Sequence, residues 1–268
     1  MLADLDAEAH IARARMALRN ATAVVARSGA DGLAAGAIAL RARGERAAEA
    51  VLGVDPFAGG AQVPGGPLAI LDWGIRALDR PALIVDHAMP EVAPRDDQVF
   101  LSGYGEIPVV PTAALMRRVV PDAPLWLAEI GIAAEIGGEH VSHDARQLAG
   151  LADSPRRVPG GPVAAALEVL TAHDEIVEAL ADPRIAALDE ARRAWKAALE
   201  RVMRIEPEHL GEISVVRFES DCILEDVVAR SWALRLPAHQ VVAVRNGTEI
   251  AGSARLPPER LASLLRRG

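Results

Sequence analysis

Short apolar runs, each bounded by glycine, proline or charged residues, recur along the first hundred residues of the chain. Runs of this length are typical of buried strands. The first is followed by "DGLAAGAIALRARGE", which reads as a helix of small residues, and helical or loop segments separate the others. Strands that alternate with helices indicate a mostly parallel sheet that is covered on both faces. The predicted strands are residues 22–26, 48–54, 67–72, 82–86 and 98–102.

The pattern becomes helical from about residue 108 to residue 205. Apolar side chains in residues 184–203 recur at three- and four-residue steps, which indicates one buried stripe on a helix. Strands return near residue 212, and "RNGT" carries the Asn-Gly pair that favours a hairpin. The last segment, "PPERLASLLRRG", predicts a short final helix.

These patterns predict an α/β protein with a mostly parallel sheet flanked by helices, a helical connector and a small C-terminal α/β domain. The expected boundaries are residues 1–150 for the first domain, 151–209 for the connector and 210–268 for the last domain.

Composition narrows the class of protein. Hydrophobic residues make up 51% of the chain, enough for a sizeable core. The formal net charge of −8 argues against a passive nucleic-acid binder, although an enzyme with a local basic groove stays possible. The single cysteine, Cys222, excludes an internal disulfide and a cysteine-cluster zinc site. No apolar run approaches the ~18 residues that cross a bilayer, and no signal peptide is recognisable, so we expect a cytoplasmic protein without a membrane partner.

Three of the predicted strands are followed by acids, namely Asp31, Asp72 and the pair Asp86-His87. Ligands of open parallel sheets bind beyond the carboxyl ends of the strands, where these side chains would meet. Carboxylates with an imidazole suit Mn²⁺, which can bind phosphate oxygens and activate a water. Each acid has an alternative role as the N-cap of the next helix, and Asp31 in particular is open to it.

Five segments resemble, in order, the motifs of the DHH phosphoesterases. This family includes RecJ-like exonucleases, oligoribonucleases and cyclic-dinucleotide phosphodiesterases. The segments are "VVARSGADGLAAGAIAL", "LAILDWG", "ALIVDHAMP", "IGIAAEIG" and the C-terminal "ISVVRFES…VVAVRNGTEIAGSARL". The resemblance implies a DHH domain followed by a shortened substrate-binding domain at residues 210–268.

Active members of the family hold two Mn²⁺ ions. The resemblance implies that this chain keeps the ligands of one of them, which are Asp31, Asp72, His87 and Glu135. It makes Asp31, Asp72 and His87 the expected catalytic residues, with Asp86 orienting His87.

The ligands of the other ion are replaced, because Arg27 and Gly29 stand at their positions, and Ala88 replaces the second histidine of the D-H-H motif. A guanidinium has no lone pair to donate to a metal, and glycine has no side chain. Arg27 is therefore expected either to clamp a phosphate in place of the ion or to pair with Asp31 or Asp72 and keep metal out.

In the C-terminal segment the resemblance implies that Ser253 and Arg255 contact the substrate, although the family's glycine-histidine loop does not follow them. Two hypotheses result. The chain is a DHH-type phosphoesterase-like protein with a depleted metal centre, one Mn²⁺ or none, that acts on or binds a short oligonucleotide, a single-stranded nucleic acid or a nucleotide. Alternatively, it is an inactive relative that binds a nucleotide, a nucleic acid or a protein partner. Homo-oligomerisation stays open.

Overall fold

The computed structural model describes residues 2–44, 49–58 and 62–252, and the chain divides into two compact units. The first unit comprises Met1–Pro155 with Pro162–Asp189, and the second comprises Arg156–Gly161 with Glu190–Gly268. Residues 151–209, expected to form a helical connector, are divided between the two units.

The first unit contains a five-stranded sheet in the order β2-β1-β3-β4-β5, and every neighbouring pair is parallel. Each strand lies within the range that its apolar run predicts. Four of the strands are buried on both faces, which requires a run of mostly apolar residues, whereas the edge strand that begins at Glu49 has two exposed residues. The strands are β1 (Ala23–Ala26), β2 (Glu49–Leu52), β3 (Leu68–Leu71), β4 (Ala82–Asp86) and β5 (Gln98–Ser102).

Eight α-helices begin in this unit among the described residues, and the last of them continues into the second unit. They are α1 (Leu2–Asn20), α2 (Ala30–Arg43), α3 (Thr112–Val119), α4 (Leu125–Glu135), α5 (His143–Asp153), α6 (Val163–Ala172), α7 (Ile176–Ala181) and α8 (Ile185–Val202).

Helix α2 is the centre of the helical layer. All ten residues from Ala30 to Ala39 are buried, and the helix contacts α3, α4, α5 and α6. Small side chains allow this close approach; a Cβ on Gly36 would lie 3.1 Å from the Cβ of Ala26 in β1. The first turn of α2, which carries Asp31, is therefore fixed on several sides.

The two faces of the sheet are covered differently. Alternate strand residues such as Val24 and Leu83 join one core with the helices. Their neighbours, such as Val25 and Ile84, join a second core with apolar side chains from the loops, including Phe57. The sheet is thus covered on both faces as expected, with helices on one face and loop segments on the other among the described residues.

The second unit contains a smaller sheet in the order β6-β7-β8-β9. Strands β7 and β8 are parallel, while the outer pairs are antiparallel. The predicted Asn-Gly hairpin joins β8 to β9, and Asn246 and Gly247 adopt φ values of 52° and 73°. The elements are β6 (Glu208–Leu210), β7 (Ile213–Phe218), α9 (Glu225–Arg235), β8 (Gln240–Arg245) and β9 (Glu249–Gly252).

The expected fold class is confirmed: a parallel α/β sheet with flanking helices and a second small sheet. Ser253, Arg255 and the predicted final helix lie outside the described residues. In the part of the chain that the structure describes, no helix has the length and apolar character required to traverse a bilayer.

Candidate functional site

Three of the expected site residues meet at the carboxyl ends of adjacent strands. Strand β1 leads through a short turn to Asp31, β3 leads to Asp72, and β4 leads to His87. These strands are neighbours in the sheet, so their carboxyl ends share one edge. Asp31, Asp72 and His87 each offer a ligand atom, and those atoms lie within 4.8 Å of one another. The structure therefore brings these three side chains together.

Asp31 is 1% exposed, and its carboxylate binds the start of another helix. Its Oδ2 accepts a hydrogen bond from the backbone N–H of Thr112, and its Oδ1 accepts one from Ala113, each at 2.8 Å. These are the first two residues of α3, whose own N-cap, Pro111, provides no side-chain cap. Asp31 thus caps α3 from a distance rather than α2, which begins at Ala30.

Gly131 in α4 makes room for this carboxylate. A Cβ at Gly131 would overlap Oδ1 of Asp31 and lie 2.9 Å from the Cβ of Ala113. From the segment "IGIAAEIG" only Glu135 was predicted as a site residue, and Gly131 was not. The available signal was a glycine inside a helical pattern, which commonly has a packing reason.

Asp72 follows β3 with a left-handed backbone conformation, φ 66°. Its side chain is 7% exposed, and its carboxylate accepts no hydrogen bond from the residues that the structure describes. Nδ1 of His87 lies 3.5 Å from Oδ1 of Asp72. Burial, with the negative charges of Asp31 and Asp86, raises the pKa of Asp72 to about 8.

His87 lies between acids on both sides of its ring. Nδ1 is 3.6 Å from Oδ2 of Asp31 and 3.5 Å from Oδ1 of Asp72, while Nε2 is 3.6 Å from Oε2 of Glu135. Asp31 is the main cause that raises the pKa of His87, to about 9, with contributions from the charges of Asp72 and Glu135. Burial of the ring acts in the opposite direction.

Glu135, the expected fourth ligand, ends α4 and has a side chain that is 38% exposed. Its carboxylate faces Nε2 of His87, on the far side of the ring from Asp31 and Asp72. Burial, with the charge of Asp31, raises the pKa of Glu135 above its ordinary value. In this arrangement Glu135 is a neighbour of the three-residue cluster rather than a member of it.

Asp86 is 2% exposed, and its carboxylate is hydrogen-bonded to both of the turns that contain Asp72 and His87. Its Oδ2 accepts a hydrogen bond from Gly74 N at 2.5 Å, and its Oδ1 accepts one from Ala88 N at 2.7 Å. Gly74 belongs to the turn after Asp72, and Ala88 follows His87. Asp86 therefore positions His87 through the backbone, and no hydrogen bond joins it to the ring among the described residues.

No protein-family model and no curated protein matches the sequence. Solved structures do match it. An exonuclease RecJ bound to manganese is 16% identical with a TM-score of 0.67, over 94% of this chain and 84% of that one. The chain has a RecJ-like DHH fold.

Two further matches agree with this fold. RecJ from Thermus thermophilus in complex with Mn²⁺ is 17% identical with a TM-score of 0.58, over 89% of this chain and 46% of that one. A pGpG-specific phosphodiesterase, PggH, from Vibrio cholerae is 17% identical with a TM-score of 0.50, over 83% and 77% of the two chains. At such identities the likeness concerns the fold alone.

Within this RecJ-like fold, Arg27 lies at the end of β1 and is exposed. Its guanidinium Cζ is 5.9 Å from the centre of the Trp73 ring. Among the described residues Arg27 forms no ion pair, so it does not neutralise Asp31 or Asp72 by direct contact. Arg27 is thus a cation beside the acid cluster, and the expected pairing with Asp31 or Asp72 is absent among the described residues.

The residues of the cluster fit a divalent cation. Two carboxylates and an imidazole are the oxygen and nitrogen donors that Mn²⁺ and related ions accept. Each oxygen of Asp31 keeps a further lone pair besides the one that accepts a backbone hydrogen bond. Burial, with the repulsion from Asp31 and Asp86, raises the pKa of Asp72, and a bound cation would favour the ionised carboxylate.

Proposed function

We propose that the protein is a DHH-type phosphoesterase-like protein that binds a phosphodiester, such as a nucleotide or a short single-stranded oligonucleotide, and hydrolyses it with a depleted metal centre. The observation that carries this proposal is the Asp72 carboxylate. It is almost fully buried in a left-handed turn and receives no hydrogen bond from the described residues. Such a carboxylate costs free energy unless a ligand neutralises it.

In this proposal, one divalent cation such as Mn²⁺ is held by Asp31, Asp72 and His87, with Glu135 as a further candidate donor. Such an ion, when bound, polarises a phosphoryl oxygen and lowers the pKa of a bound water. The chain supplies the rigidity: the hydrogen bonds of Asp31 to α3 fix one carboxylate, and Asp86 fixes the turns around the other two ligands.

Arg27 is the proposed phosphate contact. Its guanidinium is exposed, carries a permanent charge, and forms no ion pair within the described residues. Arginine can bind two phosphate oxygens at once. It cannot activate a water as an ion does, so we expect a hydrolysis rate several orders of magnitude below that of a two-ion enzyme. Ser253 and Arg255 stay proposed substrate contacts.

A second candidate function is binding without hydrolysis. It is favoured by the hydrogen bonds from α3 to Asp31, because they give the fold a reason to keep this acid whether or not metal binds. Gly29 has no side chain, and the methyl group of Ala88 offers no catalytic function. In this case the same edge of the sheet would hold a nucleotide, a nucleic acid or a protein partner.

The test compares Asp72→Asn with Asp96→Asn, which neutralises an exposed acid on a loop. Titration calorimetry of the chelator-treated protein with Mn²⁺ should show at least a tenfold loss of affinity for Asp72→Asn and no change for Asp96→Asn. A wild-type protein that binds no Mn²⁺ at millimolar concentration would show that the metal proposal is wrong.

Hydrolysis is measured on bis(p-nitrophenyl) phosphate and on a dinucleotide. Slow turnover that requires Mn²⁺ and disappears in Asp72→Asn is the expected result. Binding of the dinucleotide without turnover would favour the second candidate. Turnover that Asp72→Asn leaves intact would mean that this cluster does not carry the activity.

A further inference from the structure

A cleft of about 590 Å³ lies in the first unit, away from the acid cluster. It is formed by the C-terminal parts of α1 and α2 and by the segment that joins α3 to α4. Arg43, at the end of α2, is twelve residues from Asp31, which is about 18 Å along a helix. The cleft and the acid cluster are therefore at opposite ends of α2.

The cleft is strongly basic for a chain of formal net charge −8. Its charged lining consists of four arginines and one acid, Asp122. The arginines are Arg15 and Arg19 from α1 and Arg41 and Arg43 from α2. Among the described residues, Arg41 alone of the four has an acidic partner, because its guanidinium pairs with Asp174. The other three form no ion pair with the described residues.

Capping of helix ends explains only part of this arrangement. Arg15 Nε donates to the carbonyl of Val119 at 2.8 Å, and Arg43 Nη1 donates to the carbonyls of Leu18 and Arg19. Cations are favoured at helix C-termini, each of which carries roughly half a negative charge. A carbonyl, however, occupies one of the five donors of a guanidinium and carries no formal charge.

Donors remain unused in the cleft. Nε of Arg43 is buried and has no hydrogen-bond partner among the described residues. The Arg19 side chain is exposed and likewise makes no hydrogen bond with them. Nε of Arg43 is enclosed by protein atoms, so the donors open to a ligand are those of the exposed Arg19 guanidinium, which match the acceptor oxygens of a phosphate.

Part of the lining is an apolar wall, which contains Leu18, Val119, Val120 and Pro121; Pro121 is exposed and Val120 is half-buried, whereas Leu18 and Val119 are almost fully buried. The volume lies in the range of small-molecule sites, about 300–1,000 Å³. Phosphate oxygens match the guanidinium groups, and an aromatic base matches the apolar wall. We propose that this cleft is a second ligand site that binds a nucleoside phosphate, with its phosphates on Arg15, Arg19 and Arg43.

The experiment measures binding of GDP and of inorganic pyrophosphate by titration calorimetry at low ionic strength, in the presence of a chelator so that the acid cluster holds no metal. Arg19→Glu is the test variant, because this side chain holds no other part of the described structure. Arg13→Glu is the matched control: it makes the same change of charge on an exposed residue of the same helix, outside the cleft.

We expect at least tenfold weaker GDP binding for Arg19→Glu, and a change below twofold for Arg13→Glu and for Asp72→Asn. GDP should bind at least fivefold more tightly than pyrophosphate, because only GDP uses the apolar wall. The proposal is wrong if GDP does not bind to the wild type, if the two arginine variants lose affinity equally, or if Asp72→Asn abolishes binding. Equal affinities for GDP and pyrophosphate would overturn the assignment to a nucleoside phosphate.

Discussion

Replacement of Gly131 by alanine tests how the fold holds Asp31. The new Cβ would overlap Oδ1 of Asp31 and come within 2.9 Å of the Ala113 Cβ. Asp31 is buried and bound to two backbone N–H groups, so its carboxylate has to leave these donors to make room. The substitution should therefore uncap α3 and displace one ligand of the acid cluster.

The expected cost follows from these contacts. A hydrogen bond to a charged group contributes about 1.5–3 kcal/mol, so weakening two of them costs roughly 2–4 kcal/mol. Alanine is favoured over glycine inside a helix by about 1 kcal/mol. The free energy of unfolding of Gly131→Ala should therefore fall by about 1–3 kcal/mol, and its affinity for Mn²⁺ should fall as well.

Urea unfolding of wild type, Gly131→Ala, Asp31→Ala and the double variant measures the coupling between the two positions. With the Asp31 carboxylate removed, the alanine at 131 should cost less than half as much. Gly65→Ala is the control, because a Cβ there meets no atom within 4 Å. It should change stability by less than about 0.5 kcal/mol. Strictly additive costs for Gly131→Ala and Asp31→Ala would refute this account of the site.

The remaining predictions concern charge. The pKa of Asp72 is raised to about 8, so the folded protein loses stability as pH rises from 3.8, the ordinary pKa of this carboxyl, to about 8. The pKa of His87 is raised to about 9, so its protonated ring contributes stability that is complete below pH 6.5 and is lost towards pH 9. The free energy of unfolding of chelator-treated protein should therefore fall by roughly 2–4 kcal/mol between pH 6.5 and 9. The melting temperature should fall with it, and a melting temperature that does not change with pH would contradict these shifts. Arg27→Gln should weaken dinucleotide binding about tenfold, ~1.4 kcal/mol, without changing Mn²⁺ affinity; calorimetry that shows equal losses of both would place Arg27 among the metal determinants.

Local pattern was enough to predict most of the fold. The five parallel strands were predicted because each lies in a compact apolar run between turn residues, which is typical of a strand buried on both faces. Strand β2, at the edge of the sheet, departs from such burial because Glu49 and Ala50 are exposed. Strand β6 was not predicted, because Glu208–Leu210 is three exposed residues and acquires strand structure only by pairing with β7. Pairing between segments is a tertiary property that propensity does not contain.

The meeting of Asp31, Asp72 and His87 could also be predicted, because parallel neighbours place their carboxyl ends on one edge. The partners of these side chains could not. The hydrogen bonds from α3 to Asp31 join residues more than 80 positions apart. The position of Glu135 across the imidazole ring depends on where α4 ends relative to the sheet, which the order of motifs does not specify.

The two buried acids of the cluster do not indicate a metal site equally strongly. Asp31 has a structural reason to be present, because it caps α3 and fills the space beside Gly131. Its presence in the sequence therefore says little about metal. Asp72 caps nothing among the described residues, adopts a left-handed backbone and has a pKa raised to about 8. A buried carboxylate without a hydrogen-bond donor in a left-handed turn disfavours the fold and is most simply explained by a ligand that it binds, so substitution of Asp72 distinguishes a functional metal centre from acids retained for structure alone.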